Sequence, residues 1–211
     1  MKNHTIRAGD CLLSVAHENG FFERTVWEHA ANDELRRKRR DPNCLKPGDV
    51  LVVPDKRTRE ESCSTGRLHT FRLLGVPAKL SFQLLHCGEP RADEPYTIEI
   101  DGAKQTGRTG KDGVVKFKIK PHAKKGTITI GTGALRSEYD IDLGHLDPLE
   151  EPSGAQGRLR NLGYYDGPLH GELDDDTVAA LLLFQHDRGL ACTGTLDTAT
   201  IEALNAGHEA V

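Results

Sequence analysis

Ten histidines and 32 carboxylates give this 211-residue chain ample material for metal or acid–base chemistry, yet their spacing assembles no working constellation. No HExxH run sets two imidazoles on one helix face, and no serine sits in a GxSxG turn. The five cysteines, at 11, 44, 63, 87 and 192, are scattered and form no CxxC pair. That pattern predicts neither a structural zinc site nor a complete disulfide framework. The triplet Asp174-Asp175-Asp176 precedes an apolar helical stretch, where capping of free helix N–H groups accounts for it. The expectation is a chain with no catalytic residue, no metal and no cofactor, whose chemistry is binding.

Composition narrows what is bound. The formal net charge is −4, with 36% hydrophobic and 5% aromatic residues. Nucleic acid is not the partner such a balance favours, and several small, thin-cored domains suit it. No apolar run reaches the roughly 18 residues of a membrane span. The start, Met1-Lys2-Asn3-His4, has no apolar h-region, so synthesis in the cytoplasm with reduced thiols is expected.

The elements that position candidate residues fall into a multi-domain α+β arrangement: 1–55, a linker at 56–67, 68–146, a linker at 147–153, and 154–211. In the first segment Thr5-Ile6-Arg7 reads as a strand. Gly9-Asp10 then turns the chain, with Asp10 as N-cap, into a helix through Leu12, Val15 and Ala16 that ends at Asn19-Gly20. A second helix is expected from Glu23 through Trp27 to Ala31. Pro47-Gly48-Asp49 leads into the strand Val50–Val53. The central segment carries short, mostly alternating runs at 71–74, 79–84, 96–100, 114–119, 127–130 and 139–143. Turn signals such as Asp101-Gly102 separate them, and the spacing predicts an all-β sandwich.

The tail is helical and contains a repeat. Gly171-Glu172-Leu173-Asp174-x-x-Thr177-x-x-Ala180-Leu181 recurs 23 residues later as Gly194-Thr195-Leu196-Asp197-x-x-Thr200-x-x-Ala203-Leu204. Each copy reads as a turn, a leucine, an aspartate N-cap and a helix start, giving a three-helix bundle.

The opening Ile6-Arg7-Ala8-Gly9-Asp10-Cys11-Leu12-Leu13-Ser14-Val15-Ala16, with Leu45-Lys46-Pro47-Gly48-Asp49-x-Leu51-x-Val53-Pro54, resembles the lysin-motif (LysM) domain. The resemblance implies a βααβ fold that binds N-acetylglucosamine polymers, with Gly9, Asp10, Cys11, Leu12 and Leu13 facing Asn43, Cys44, Leu45, Lys46 and Pro47 across the glycan groove. Cys11 departs from the family's usual Thr or Ser, and the stretch from Asn32 to Leu45 is longer than usual. The tail resembles the three-helix peptidoglycan-binding domain through Gln156-Gly157-Arg158-Leu159-x-x-Leu162-Gly163-Tyr164, Asp166-Gly167-Pro168-Leu169 and both copies of the repeat. That likeness implies peptidoglycan as partner, with Tyr164, Tyr165 and Asp166 on an exposed loop against the sugar. The centre is similar to prealbumin-like or carboxypeptidase-regulatory sandwiches through Pro95–Gly102 and Gly107–Val115. The combination resembles accessory proteins of contractile injection systems, including type VI secretion. It implies a spike, baseplate or effector protein as a further partner and delivery to the envelope or exterior.

Four features keep two readings each. Arg36-Arg37-Lys38-Arg39-Arg40 is a solvated helix end or, through Arg36, Arg37, Arg39 and Arg40, a contact for an acidic partner. Val178, Leu182 and Leu183 make the second tail helix apolar nearly all round, as a wider core stripe or as a face that packs on the sandwich segment or on a protein partner. Cys11 and Cys44, in facing loops of the LysM-like fold, are a disulfide or two small apolar residues. Tyr164 is a core residue or a sugar platform, whereas Trp27 reads as a core plug.

Overall fold

The computed structural model describes residues 1–57, 60–70, 78–86 and 88–209. Their architecture is mixed α and β, with six α-helices and antiparallel strand pairings among the described residues. Three separate hydrophobic clusters form among the described residues. The expected strand at 71–74 and Cys87 lie outside the described residues.

In the first unit, β1 (Lys2–Thr5) pairs antiparallel with β2 (Val50–Val53), bringing Thr5 opposite Val50. The strand lies earlier than the expected Thr5–Arg7. Beyond Thr5 the pairing loosens into isolated bonds, Ile6 N–H to Asp49 O at 2.8 Å and Gly48 N–H to Ile6 O at 2.9 Å. Helix α1 (Leu12–Glu18) starts one residue later than an Asp10 cap implies. Cys11 takes the N-cap position, and its N–H donates to Ser14 Oγ at 3.0 Å. Asp10 instead closes the preceding turn, accepting the Arg7 N–H at 3.1 Å and meeting His4 Nε2 at 3.0 Å.

The expected second helix is split into α2 (Glu23–Trp27), a 3-10 turn (Ala30–Asn32) and α3 (Asp33–Lys38). Asn32 explains the break. Its buried amide donates to Val26 O at 2.7 Å and Val52 O at 2.8 Å and accepts from the Val52 N–H at 2.8 Å. A side chain this fully bonded, with each bond contributing about 1 kcal/mol net, pins the turn to β2 and prevents a straight helix. Ile6, Leu12, Val15, Val26, Leu51 and Val53 fill the cluster beneath, with Phe21 and Trp27 packed on its margin.

The central unit contains a four-stranded sheet in the order β10–β9–β6–β7: Ser137–Asp142, Lys125–Ile130, Pro95–Ile100 and Ala103–Arg108. Two further pairs are β3 (Ala78–Gln83) with β8 (Val114–Ile119), and β4 (Leu85–His86) with β5 (Glu89–Pro90). Ile98, Ile100, Ile128 and Ile130 from the large sheet share one cluster with Val115 and Phe117 of β8. Phe82 meets Phe117 edge-to-face at 5.7 Å.

The last unit packs α4 (Pro152–Asn161), α5 (Asp175–Asp187) and α6 (Thr198–Glu209) around Leu159, Leu181, Phe184 and Leu204. Each fully buried side chain of this kind contributes about 1.5–3 kcal/mol. The stretch expected as a linker at 147–153 is a packed strap. Pro148 and Leu149 are buried, and α4 begins at Pro152. Gly154 makes the close approach possible, because a Cβ there would collide with the carbonyl oxygens of Pro148 and Asp147.

Candidate functional site

The two copies of the tail repeat fold alike, and each is organised by a glutamine that lies outside the repeated residues. Gln156 and Gln185 are both 0% exposed. Gln156 Oε1 accepts the Gly171 N–H at 3.0 Å, while its Nε2 donates to Glu172 O and to Thr177 Oγ1, both at 2.9 Å. Gln185 repeats the pattern on Gly194 N–H at 2.9 Å, Thr195 O at 3.1 Å and Thr200 Oγ1 at 2.8 Å. Each threonine hydroxyl then donates to the aspartate cap of its helix: Thr177 to Asp174 at 2.5 Å, Thr200 to Asp197 at 2.8 Å. The same carboxylates accept the Thr177 and Thr200 N–H groups at 2.9 and 2.8 Å, as the repeat predicts. These bonds hold both carboxyls below the usual range, for Asp174 first through the Thr177 hydroxyl and for Asp197 first through the Thr200 N–H. Gly171 and Gly194 sit at φ +80° and +66°, the left-handed region that lets the turn bring its N–H to the amide.

With these groups spent inside the fold, Tyr164 and its neighbours form a separate surface. Tyr164 is half-buried, its ring edge-to-face on Phe184 at 5.4 Å and its hydroxyl donating to Asp187 Oδ2 at 3.2 Å. Burial, then the Asp187 charge, pushes its phenol pKa up. Arg188 lies over the Phe184 ring at 5.5 Å. Asp166, two residues along the chain from Tyr164, is exposed. Tyr165 is not part of this surface. At 4% exposure it belongs to the core, and its hydroxyl donates to Pro168 O at 3.0 Å, so its ring has no free face for a sugar.

The two loops of the N-terminal unit do face each other, joined by the Leu12 N–H to Pro42 O at 3.4 Å. Gly9, Leu12, Cys44 and Leu45 are buried, Asp10, Cys11, Leu13 and Lys46 half-buried, and Asn43 and Pro47 exposed. The chain's own residues 144–158 lie against both loops. A Cβ at Gly144 would come within 2.9 Å of Gly9 O, and one at Gly9 within 3.2 Å of His145 Nε2. Lys46 Nζ pairs with Glu151 Oε2 at 2.8 Å, and Arg158 Nη2 meets Cys44 Sγ at 3.5 Å. Cys11 and Cys44 are free thiols rather than a disulfide, and burial pushes the Cys44 thiol up to about 12.

The basic run is largely consumed within the protein. Arg36 pairs with Asp33 and donates to Trp27 O at 3.0 Å. Arg39, 4% exposed, bonds Asp49 through Nε at 2.8 Å and reaches Glu151 at 3.4 Å through Nη1. An exposed contact for an acidic partner is therefore excluded for Arg39; Arg37 and Arg40 are exposed. Burial opposes the charged form of Asp49, but hydrogen bonds from Arg39 and the Lys46 N–H, with the Arg39 charge, outweigh it and hold the carboxyl below its usual range. On α5, Val178 and Leu182 flank Gly194, whose added Cβ would lie 3.0 Å from Val178 Cγ1 and 3.5 Å from Leu182 Cγ. Val178, half-buried, thus packs on the turn at Gly194, whereas Leu182 and Leu183 are 36% and 53% exposed.

Among the described residues, no group of three or more His, Cys, Asp or Glu is arranged to hold a metal ion, and no helix is long and apolar enough to cross a membrane. No curated protein and no solved structure matches the chain significantly. Residues 150–204, about a quarter of the sequence, match the model of a family described as "Putative peptidoglycan binding domain". The match begins inside the strap, earlier than the expected domain start at 154, and takes in both glutamine-centred turns and the Tyr164 surface.

Proposed function

We propose that this protein binds peptidoglycan through its helical C-terminal unit and releases it chemically unchanged. The observation that carries this reading is the family match over residues 150–204. The Tyr164–Asp166–Asp187–Arg188 surface supports it physically. It combines an aromatic edge with hydrogen-bonding groups of both signs, the mixture a sugar with hydroxyl and acetamido groups calls for. Co-sedimentation of the full chain with purified sacculi tests it. The wild-type chain is expected in the pellet, and the Asp166→Ala/Asp187→Ala variant is expected to bind at least fivefold more weakly. A wild-type chain that stays in the supernatant refutes the reading.

A second reading is favoured by the strap lying against both loops of the LysM-like unit. In it the N-terminal unit is a docking piece rather than a glycan clamp. With the sandwich-like centre it mounts the helical unit on a larger assembly, as an accessory part of a contractile injection apparatus made in the cytoplasm and carried to the envelope or exterior. Co-purification with a spike, baseplate or effector protein from the native cell is the expected result. Recovery of the chain free of any such protein counts against it.

A further inference from the structure

We propose that the cavity between the N-terminal unit and the helical unit is a binding site for a small zwitterion, a molecule carrying one carboxylate and one ammonium group a few bonds apart, as a dipeptide does. The cavity measures about 350 Å³, within the roughly 300–1,000 Å³ range of small-molecule sites.

Arg158 defines the carboxylate end. It lines the cavity at only 2% exposure, and no carboxylate lies within ion-pair distance of it among the described residues. Its Nη1 donates to Asp147 O and Gly154 O, both at 3.0 Å. The opposite edge of the guanidinium, Nε with Nη2, is nearly idle: Nη2 meets only the Cys44 sulfur at 3.5 Å, and Nε is buried with no partner. That edge is the one a carboxylate takes with two parallel charge-assisted hydrogen bonds. A buried cation with no counterion and an unmade hydrogen bond is unfavourable in the empty protein. Cys44 does not relieve it, since burial keeps the thiol protonated. A ligand carboxylate reaching the Nε–Nη2 edge, with the neutral thiol turned aside, supplies both the missing charge and the missing acceptors.

The rim defines the other end. Glu150 and Glu202 are exposed at the mouth, and Asp41 is half-buried beside them. Against these three carboxylates stands the exposed Arg40, so the lining beyond Arg158 is net negative; that disfavours a simple anion and suits a ligand whose ammonium faces outward while its carboxylate faces Arg158. Buried Leu149 on the wall fits a short aliphatic body between the two charges. The site is independent of the glycan reading, so sacculus binding and zwitterion binding can fail separately.

Calorimetric titration of the full chain with alanyl-alanine, its N-acetyl derivative and its C-terminal amide tests the proposal. Alanyl-alanine is expected to bind at millimolar concentration or better. The amide is expected to lose at least tenfold in affinity and the N-acetyl derivative at least threefold. Arg158→Met should abolish binding. Should that variant fail to fold, E150Q/E202Q at the exposed rim gives the second reading: weaker binding of alanyl-alanine, with the N-acetyl derivative unaffected. No binding of alanyl-alanine overturns the proposal. So does an amide that binds within twofold of the acid, or acetate alone binding as tightly as the dipeptide.

Discussion

Replacing Gln185 by leucine tests whether the buried amide, rather than the leucine-lined cluster alone, holds the second turn of the helical unit. Leucine has nearly the same volume and can occupy the site, so the change isolates the hydrogen bonds. Gln185 serves the Gly194 N–H, the Thr195 carbonyl and the Thr200 and Thr193 hydroxyls. The threonine hydroxyls keep Asp197 as a partner. The Gly194 N–H and the Thr195 carbonyl lose their bonds to the amide. At about 1–3 kcal/mol for each stranded polar group, less some gain from the apolar side chain, the loss is about 3–4 kcal/mol. A unit of this size has only about 3–8 kcal/mol in total, so Gln185→Leu should bring the three helices near their unfolding midpoint at room temperature. Far-ultraviolet circular dichroism in urea reads the result, because α4, α5 and α6 are the three longest helices among the described residues. The only tryptophan, Trp27, reports the N-terminal unit in parallel by fluorescence. Gln156→Leu should behave similarly. A loss under about 1 kcal/mol for both variants would refute the reasoning and leave the apolar cluster as the sole organiser.

Asp49→Asn leaves buried Arg39 with Glu151 as its remaining carboxylate and should cost about 1.5–3 kcal/mol, read by Trp27 fluorescence during urea unfolding. The same carboxylate, with Glu151, predicts acid sensitivity. Both have folded-state pKa values below the unfolded ones, Glu151 chiefly through its Lys46 hydrogen bond. Their stabilisation is therefore complete above the ordinary carboxylate range, about pH 4, and is lost as pH falls through the lowered values. A melting temperature unchanged on acidification through that window would contradict it. Alkylation of the native protein should mark exposed Cys63 and Cys192 and spare Cys44 until unfolding, as mass spectrometry would show. Gly154→Val should destabilise by roughly 2 kcal/mol or more through collision with the strap, and a melting temperature equal to wild type would count against that contact.

Much of the helical unit was legible because its signals are local. The aspartate caps, the positive-φ glycines and the leucine spacing lie within a few residues of one another. Gln156 was read only as part of the family motif, and neither it nor Gln185 was given a bonding role, because they lie 15 and 9 residues before the glycines they bond, outside the repeat itself. The signal available was a polar residue on the inward face of an apolar helix. Strand β7 was missed for a different reason. Its residues, Ala103-Lys104-Gln105-Thr106-Gly107-Arg108, are almost all exposed, since among the described residues it pairs only with β6, and it has no apolar face to alternate. Asp10 was misassigned as a cap because its carboxylate turns back to the Arg7 N–H and His4, which leaves Cys11 at the cap, a choice of one residue that propensity does not make. Arg39 and Tyr165 were expected at the surface. Their partners, Asp49, Glu151 and the Pro168 carbonyl, become visible only with tertiary structure.

The Glu151 clasp on Arg39 and Lys46 has a mechanical consequence. It couples the beginning and the end of the chain directly, so the segment from 56 to 143 is an excursion leaving and rejoining a closed frame. Tension applied between the two outer units would load that clasp and the Cys44–Arg158 contact before it stretched any strand of the central sheet.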